Sequence, residues 1–319
     1  MEQDKEQDIS DKRDIVDMED AGVFGADAGE AELERPPQKK ILPKDLTSYD
    51  LLKTLALILM LADHVGYYFF PYLPSDPNPD VIWLRVLGRL SVPIWFFLIG
   101  YARTSEVPLR LLIWGVVAQL SELVSGEYIL PLNILFTIAA ARYVRDAYAR
   151  KTLEKPEHMR GMVFLLLLGT FPTSLLVEYG SLVLFFVIYG SLRRNPEIVK
   201  VKPVYARLFI FLSFFIYYLW QGAMMGVLSG VQALSLAAGL GAVFLLLHWF
   251  EPREYPRLSR ILGPFAAVLK LTGRRTLEIY VLHLIVFRIT VLFLYPETYT
   301  LGDWSIADPG LMSMIVLQR

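Results

Sequence analysis

The sequence contains no cysteine. A thiol nucleophile, a thiolate metal site and disulfide bonds are therefore excluded. Its four histidines, at 64, 158, 248 and 283, form neither an HxH nor an HExxH pattern, so no metal site is expected. It also has no GxxxxGK phosphate loop and no GxSxG nucleophile elbow. Covalent serine or cysteine catalysis thus lacks support, and no nucleic-acid partner is expected. Residues 1 to 40 have few large apolar side chains and lack the basic start, apolar middle and small-residue cleavage site of a secretion signal. They carry 13 Asp+Glu against 6 Lys+Arg, a balance of −7, which leaves +6 for the remainder. Such a segment is expected to be a disordered acidic tail.

What the sequence has in quantity is apolar length. Of its 319 residues 55% are hydrophobic, and the mean hydropathy is +0.43. The apolar residues fall into blocks long enough to cross a hydrocarbon core about 30 Å thick. The expected fold class is all-α: a polytopic transmembrane bundle of about nine helices, near 48–72, 81–103, 107–125, 129–149, 160–173, 175–192, 204–221, 231–250 and 274–295. FPTS at 171–174 is expected to separate the fifth span from the sixth, and Ser48 to cap the first. A further helix could lie within GAMMGVLSG, where Gly222, Gly226 and Gly230 have the spacing that lets helices approach closely. The organisation expected is a tail over 1–44, a bundle over 45–295 and a short extracytoplasmic segment over 296–319.

The loops alternate in charge. Arg35, Lys39, Lys40 and Lys44 precede the first span, whereas PSDPNPD and SGEYILP are free of cations. RYVRDAYARKTLEKPEHMR, RRNPEIVKVK and EPREYPRLSR are basic. Cytoplasmic loops are enriched in Lys and Arg, so the N terminus is expected inside and the C terminus outside.

That orientation assigns depth to the polar residues. His64 lies about 24 Å along the first helix at 1.5 Å per residue. Asp63, His64, Arg85, Arg89, Gln119, Glu122, Asn133 and Glu178 then fall at similar depth in the outer half. Ionisable groups in membrane spans are costly, pair with one another and mark function. Asp63 and His64 are adjacent on a helix and point about 100° apart, so at most one can face lipid. A second polar centre lies in GRRTLEIYVLHLIVF, residues 273–287. Arg274 and Glu278 have pairing spacing there, and Tyr280 and His283 share a face. Histidine exchanges protons near neutral pH, a carboxylate can orient it as a base, and arginine or asparagine can stabilise an oxyanion. The set suits acyl transfer to an amine or hydroxyl. It equally suits a proton relay through Asp63 and His64 in a transporter, or structural ion pairs in an envelope assembly complex.

A resemblance narrows the choice. LKTLALILMLADHVGYYFFP (52–71) and LRVLGRLSVPIWFFLIGYARTS (84–105) resemble the opening of the TraX family, membrane proteins linked to N-terminal acetylation of pilin. LNILFT (132–137), EYG (178–180) and RRTLEIYVLHLIVF (274–287) fit the same family in the same order. That family is similar to a wider group of transmembrane acyltransferases that use acetyl-CoA and in which an early histidine is the proposed base. The resemblance implies a multi-pass protein of the bacterial inner membrane with acetyl-CoA as cosubstrate and no metal. The acceptor would be a pilin-like peptide amine or a glycan. By position, His64 would be the base and Asp63 its orienting partner. Arg85, Arg89, Asn133, Glu122 and Glu178 would handle the acceptor or the oxyanion. Arg274 and Arg275 would meet the CoA phosphates, with Tyr280 and His283 lining the route between.

Overall fold

The computed structural model describes residues 43–70, 79–225, 228–297 and 299–307, without side chains at 79–81. The acidic tail over 1–40 and the C-terminal residues 308–319 lie outside that description, as does most of the loop after the first span. The described chain is mostly helical. Its elements are α1 (Ser48–Phe69), α2 (Pro79–Arg89), α3 (Ser91–Tyr101), α4 (Leu109–Val124), β1 (Tyr128–Leu130), α5 (Ile134–Glu154), α6 (Pro156–Ser174), α7 (Leu184–Arg194), α8 (Pro203–Met224), α9 (Gly230–His248), α10 (Pro256–Leu262), α11 (Pro264–Arg274), α12 (Thr276–Leu294) and β2 (Ser305–Ala307). The two short strands pair in parallel, Tyr128 opposite Ser305 and Leu130 opposite Ala307. This minor sheet was not expected from the apolar pattern.

Among the described residues, five stretches are long and apolar enough to cross a membrane: α1, Ile82–Tyr101 across α2 and α3, α8, α9 and α12. This is fewer than the nine expected, and the difference has physical causes. α4 has 16 residues and α5 ends in a charged turn around Lys151 and Glu154. α7 has only 11 residues, about 16 Å, and is buried on every side from Leu184 to Ser191. An uninterrupted apolar run can equally be a buried core helix. α6 runs through FPTS to Ser174 with Pro172 inside it, and the expected break comes just after, at Leu175–Tyr179.

The start of α1 also differs from expectation. Its cap is Thr47, whose hydroxyl accepts from Asp50 N (3.1 Å) while the Asp50 carboxylate accepts from Thr47 N (3.0 Å). A reciprocal box needs an acceptor side chain three residues on; Thr47 has Asp50 there, whereas Ser48 has Leu51. The Ser48 hydroxyl instead bonds Glu251 O at 2.7 Å, tying α1 to the segment after α9. Ser229, in the glycine-rich turn, caps α9 with Gln232 in the same way. Gly222 and Gly230 face open space. Straddling the α8–α9 turn, they do not share the continuous helix face that close helix packing requires.

Two apolar clusters carry the bundle. One surrounds α3 and α7, with Phe96, Phe97, Phe185, Phe186 and Tyr217 fully buried. Gly100 and Gly190 permit this crossing: a Cβ on either would overlap the backbone of the opposite helix. The other joins α1, α4 and α12 through Leu57, Ala118, Val281 and Val291. Trp95, Ile134 and Ile138 touch both. The polar residues described below lie in the seam between the two.

At one end of the bundle Arg274 closes α11 onto α1. Its Nε lies 3.1 Å from Asp50 Oδ1 and its Nη2 3.2 Å from Oδ2. Nη2 also donates to the Pro43 carbonyl at 2.8 Å. Asp50 is fully buried, so loss of its partner would leave an uncompensated charge. Arg274→Ala is expected to lower stability by about 3 kcal/mol. Adding Asp50→Asn should restore part of that loss, and thermal unfolding of the purified protein in detergent measures both.

Candidate functional site

A cavity of about 310 Å³ opens between α1, α2, α4, α8, α12 and the turn after α6. It lies toward the end of the bundle that carries the small sheet, since Tyr67, Tyr68, Glu127 and Tyr128 line it. His64 is 14 residues beyond Asp50 on α1, about 21 Å along the axis. Asp63, His64, Arg85, Arg89, Glu122 and Glu178 all reach this one space. Of the residues expected at similar depth, Gln119 and Asn133 do not line it.

The nearer charged partner of Asp63 is Arg85, Oδ1 to Nη1 at 3.1 Å, with Arg89 Nη1 3.9 Å from Oδ2. Arg89 Nη1 donates to the Tyr179 hydroxyl at 2.7 Å, and Arg85 lies over the Tyr67 ring at 5.2 Å. Tyr179 holds φ +63°, a left-handed conformation rare for a bulky residue and associated with functional positions. Gly88 allows this arrangement: a Cβ there would overlap Asp63 itself. The carboxylate of Asp63 is thus turned to the arginines of α2, and it is not the orienting partner of His64.

That partner is His283. His64 Nδ1 lies 2.7 Å from His283 Nε2, and His283 Nδ1 lies 2.9 Å from the Ile279 carbonyl. A carbonyl oxygen only accepts, so His283 Nδ1 carries the hydrogen. In the neutral ring Nε2 then accepts, and His64 Nδ1 must donate to it. The chain of bonds leaves a lone pair on His64 Nε2, which has no protein partner among the described residues. Tyr280 borders the cavity one helical turn before Leu284, and its ring centroid is 5.9 Å from that of His64.

Glu122 belongs to a network that sequence reasoning missed at its centre. Arg288 Nη2 donates to Glu122 at 2.7 Å, Nε to Glu127 at 2.8 Å, and Nη1 to the Ser121 hydroxyl at 2.5 Å. Gln119 Nε2 also donates to Glu122 at 2.7 Å, and Tyr68 donates to Glu127 at 3.3 Å. The Arg288 side chain is 4% exposed. Its signal was present in the sequence: an arginine far inside an apolar run, two turns beyond Tyr280 on the same face. Gln221 on α8 was also missed, because a glutamine near a helix end carries no comparable signal.

Asn133 is committed elsewhere. It caps α5 by accepting from Leu135 N (3.1 Å) and donates to Gly115 O (2.9 Å). Both amide functions are therefore engaged behind the cavity wall. Glu178 is held by its backbone, which bonds Leu132 O (3.0 Å) and Thr137 Oγ1 (2.9 Å). Its carboxylate reaches the cavity with no hydrogen bond or ion pair among the described residues. Arg274 is not beside Glu278 as its spacing suggested, being engaged by Asp50. Glu278 instead pairs with Arg275 at 3.0 Å and with Arg110.

A family model described as TraX protein matches residues 48–248, more than half of the chain. An uncharacterized protein of Rickettsia prowazekii (strain Madrid E), RP591, is 29% identical over 162 residues, 49% of this chain and 60% of that protein. Protein TraX of Escherichia coli is 30% identical over 101 residues, 30% of this chain and 38% of that protein. The similarity therefore spans less than two thirds of either relative. No solved structure matches. α12, with His283 and Arg288, lies beyond the segment that the family model covers.

The two charge centres should differ in energetic weight. Arg288→Ala would strand Glu122 and Glu127 and is expected to destabilise the protein by about 3–5 kcal/mol. Arg85, whose side chain is 25% exposed at the cavity, should cost about 1 kcal/mol on the same substitution. Equal shifts in unfolding temperature for the two variants would contradict this ordering.

Proposed function

The chain belongs to the TraX family, and from that premise we propose that it is a membrane acyltransferase moving an acetyl group from acetyl-CoA to an amine or hydroxyl. The observation that carries the reading is the ordered bond chain from Ile279 O through His283 to His64. It fixes the tautomer that presents Nε2 as a proton acceptor at the cavity. A general base must combine a free lone pair with a fixed orientation. The family's link with pilin acetylation supports the same reaction class, with a pilin-like peptide amine or a glycan as acceptor.

In this reading His64 Nε2 takes the proton of the acceptor N–H or O–H as that atom bonds to the thioester carbonyl carbon. The carbonyl electron pair moves onto oxygen. When the intermediate collapses, the C–S bond breaks and sulfur leaves with the bonding pair. The proton held on His64 then passes to sulfur, giving an amide or ester and the CoA thiol. Arg85 and Arg89 supply positive charge beside the reacting centre. The unpartnered carboxylate of Glu178 suits an amine that enters as an ammonium: it takes one proton and passes it to water, so that the neutral amine with its free lone pair attacks. With Arg274 engaged by Asp50, phosphate contact at the basic end falls to Arg275 and Arg110, which leave one net positive charge around Glu278. The basic end faces the cytoplasm of a bacterial inner-membrane protein in this reading, and the donor comes from that side.

A proton-coupled transporter needs a path that passes the proton on. Among the described residues the histidine chain ends at a backbone carbonyl, which cannot be protonated in turn. That observation favours the base over the relay.

His64→Ala is expected to reduce transfer at least 100-fold. Acetyl-CoA should still raise the unfolding temperature of that variant, because ligand-linked stabilisation reports binding alone. The assay is acetyl transfer to a peptide with a free α-amine by purified full-length protein. Normal turnover by His64→Ala would remove this histidine from the mechanism.

A further inference from the structure

The helix that orients His64 carries a second group facing the same space. Tyr280, Leu284 and Arg288 lie at successive turns of α12, and all three line the cavity. Arg288 is saturated by Glu122, Glu127 and Ser121, and Leu284 has no polar group. Tyr280 is 7% exposed, and its hydroxyl makes no hydrogen bond among the described residues. That oxygen is not sealed in the wall, as the unpartnered hydroxyl of Tyr189 is; it keeps surface open to the cavity.

Three rings stand near His64: His283 at 5.0 Å between centroids, Tyr280 at 5.9 Å and Tyr68 at 6.4 Å. His283 Nδ1 donates to the Ile279 carbonyl, and Tyr68 donates to Glu127. Of the three, Tyr280 alone has a hydrogen left to offer a ligand. It does not bond to His64 either, so the lone pair of the base and the phenol hydrogen both remain for what enters the cavity. Acyl transfer needs that combination: a base takes the proton of the acceptor while a donor meets the carbonyl oxygen of the carbon under attack. Arg85 and Arg89 are turned to Asp63, whose charge offsets theirs. Tyr280 and His283 are three residues apart on one helix, so the donor is fixed relative to the ring that orients the base. Arg288 anchors that helix two turns beyond Tyr280, and a donor held in advance costs no reorganisation when charge develops.

We propose that the Tyr280 hydroxyl donates the hydrogen bond that holds the acyl carbonyl oxygen of the thioester donor and stabilises the oxyanion of the tetrahedral intermediate. The assignment rests on the acyltransferase reading above. As the acceptor atom bonds to the carbonyl carbon, the C=O electron pair moves onto the oxygen that Tyr280 holds. When the C–S bond breaks, that pair returns to the carbonyl. The phenol proton stays on Tyr280 throughout, and the proton that reaches sulfur is the one held by His64. Tyr280 is thereby a catalytic residue in contact with the reacting group, in the role for which Asn133, engaged elsewhere, is not free.

The test is Tyr280→Phe, which keeps the ring and removes only the hydroxyl. In full-length protein in detergent, kcat for acetyl transfer to a peptide with a free α-amine should fall about 100-fold, with little change in KM for acetyl-CoA. The unfolding temperature should stay the same, because the lost O–H had no partner; a purely structural tyrosine would lower it, and that result would overturn the assignment. The pH profile of kcat should keep its shape at reduced height, because no proton leaves Tyr280. A profile whose shape changes in the variant would make Tyr280 a proton-transfer group instead and overturn the oxyanion role. Wild-type turnover by Tyr280→Phe would overturn it outright while leaving the acyltransferase reading in place. If the wild-type protein neither binds acetyl-CoA nor transfers its acetyl group, the acyltransferase reading falls and this assignment falls with it.

Discussion

The pairing of buried charge organises this protein. Asp63 with Arg85 and Arg89, and Arg288 with Glu122 and Glu127, place ionised groups from α1, α2, α4 and α12 around a single cavity. None of these groups is stable in a hydrocarbon interior by itself, and removing one partner penalises the other. Each pair therefore fixes the relative depth and rotation of two helices. Apolar packing alone fixes such registers poorly in a lipid environment, where association gains little from burying one apolar surface against another.

The two charge centres leave different groups free. Around Arg288 the donors and acceptors are closely matched, as befits a centre that holds helices together. Around Asp63 and Arg89 the matching is incomplete: the Glu178 carboxylate and the Arg89 Nε have no partner among the described residues. The histidine pair lies between them, with the hydrogen on His283 Nδ1 dictated by the Ile279 carbonyl. Saturated bonds on one side and unsaturated groups on the other are what a preorganised site requires, because rigidity must come from groups that do not meet the ligand.

Much of the site could be read before any fold was known. Counting along apolar helices from a cap placed Asp63, His64, Arg85, Arg89, Glu122 and Glu178 at one level, and they line one cavity. That reasoning works because the rise of a helix is constant and a charge at membrane depth demands a partner. It could not rank partners. Asp63 and His64 are neighbours in sequence, yet the carboxylate turns to α2 and the imidazole to α12. Arg274 and Glu278 have pairing spacing, yet a carboxylate more than 200 residues away takes the arginine. Asn133 was legible as a polar residue at the right depth, but its use as a helix cap depends on where α5 begins.

The sequence by itself determined the helical class, the apolar character of the helices and the common level of the ionisable groups that line the cavity. All of these follow from local periodicity and from the cost of charge away from water. The tertiary structure decided which apolar runs are enclosed, as α7 is by its neighbours, and which histidine nitrogen remains free. It also brought α8 against Arg89 through the Tyr217 bond. Those outcomes depend on helix rotation and on contacts between distant segments, and a residue's identity and local spacing carry no information about either.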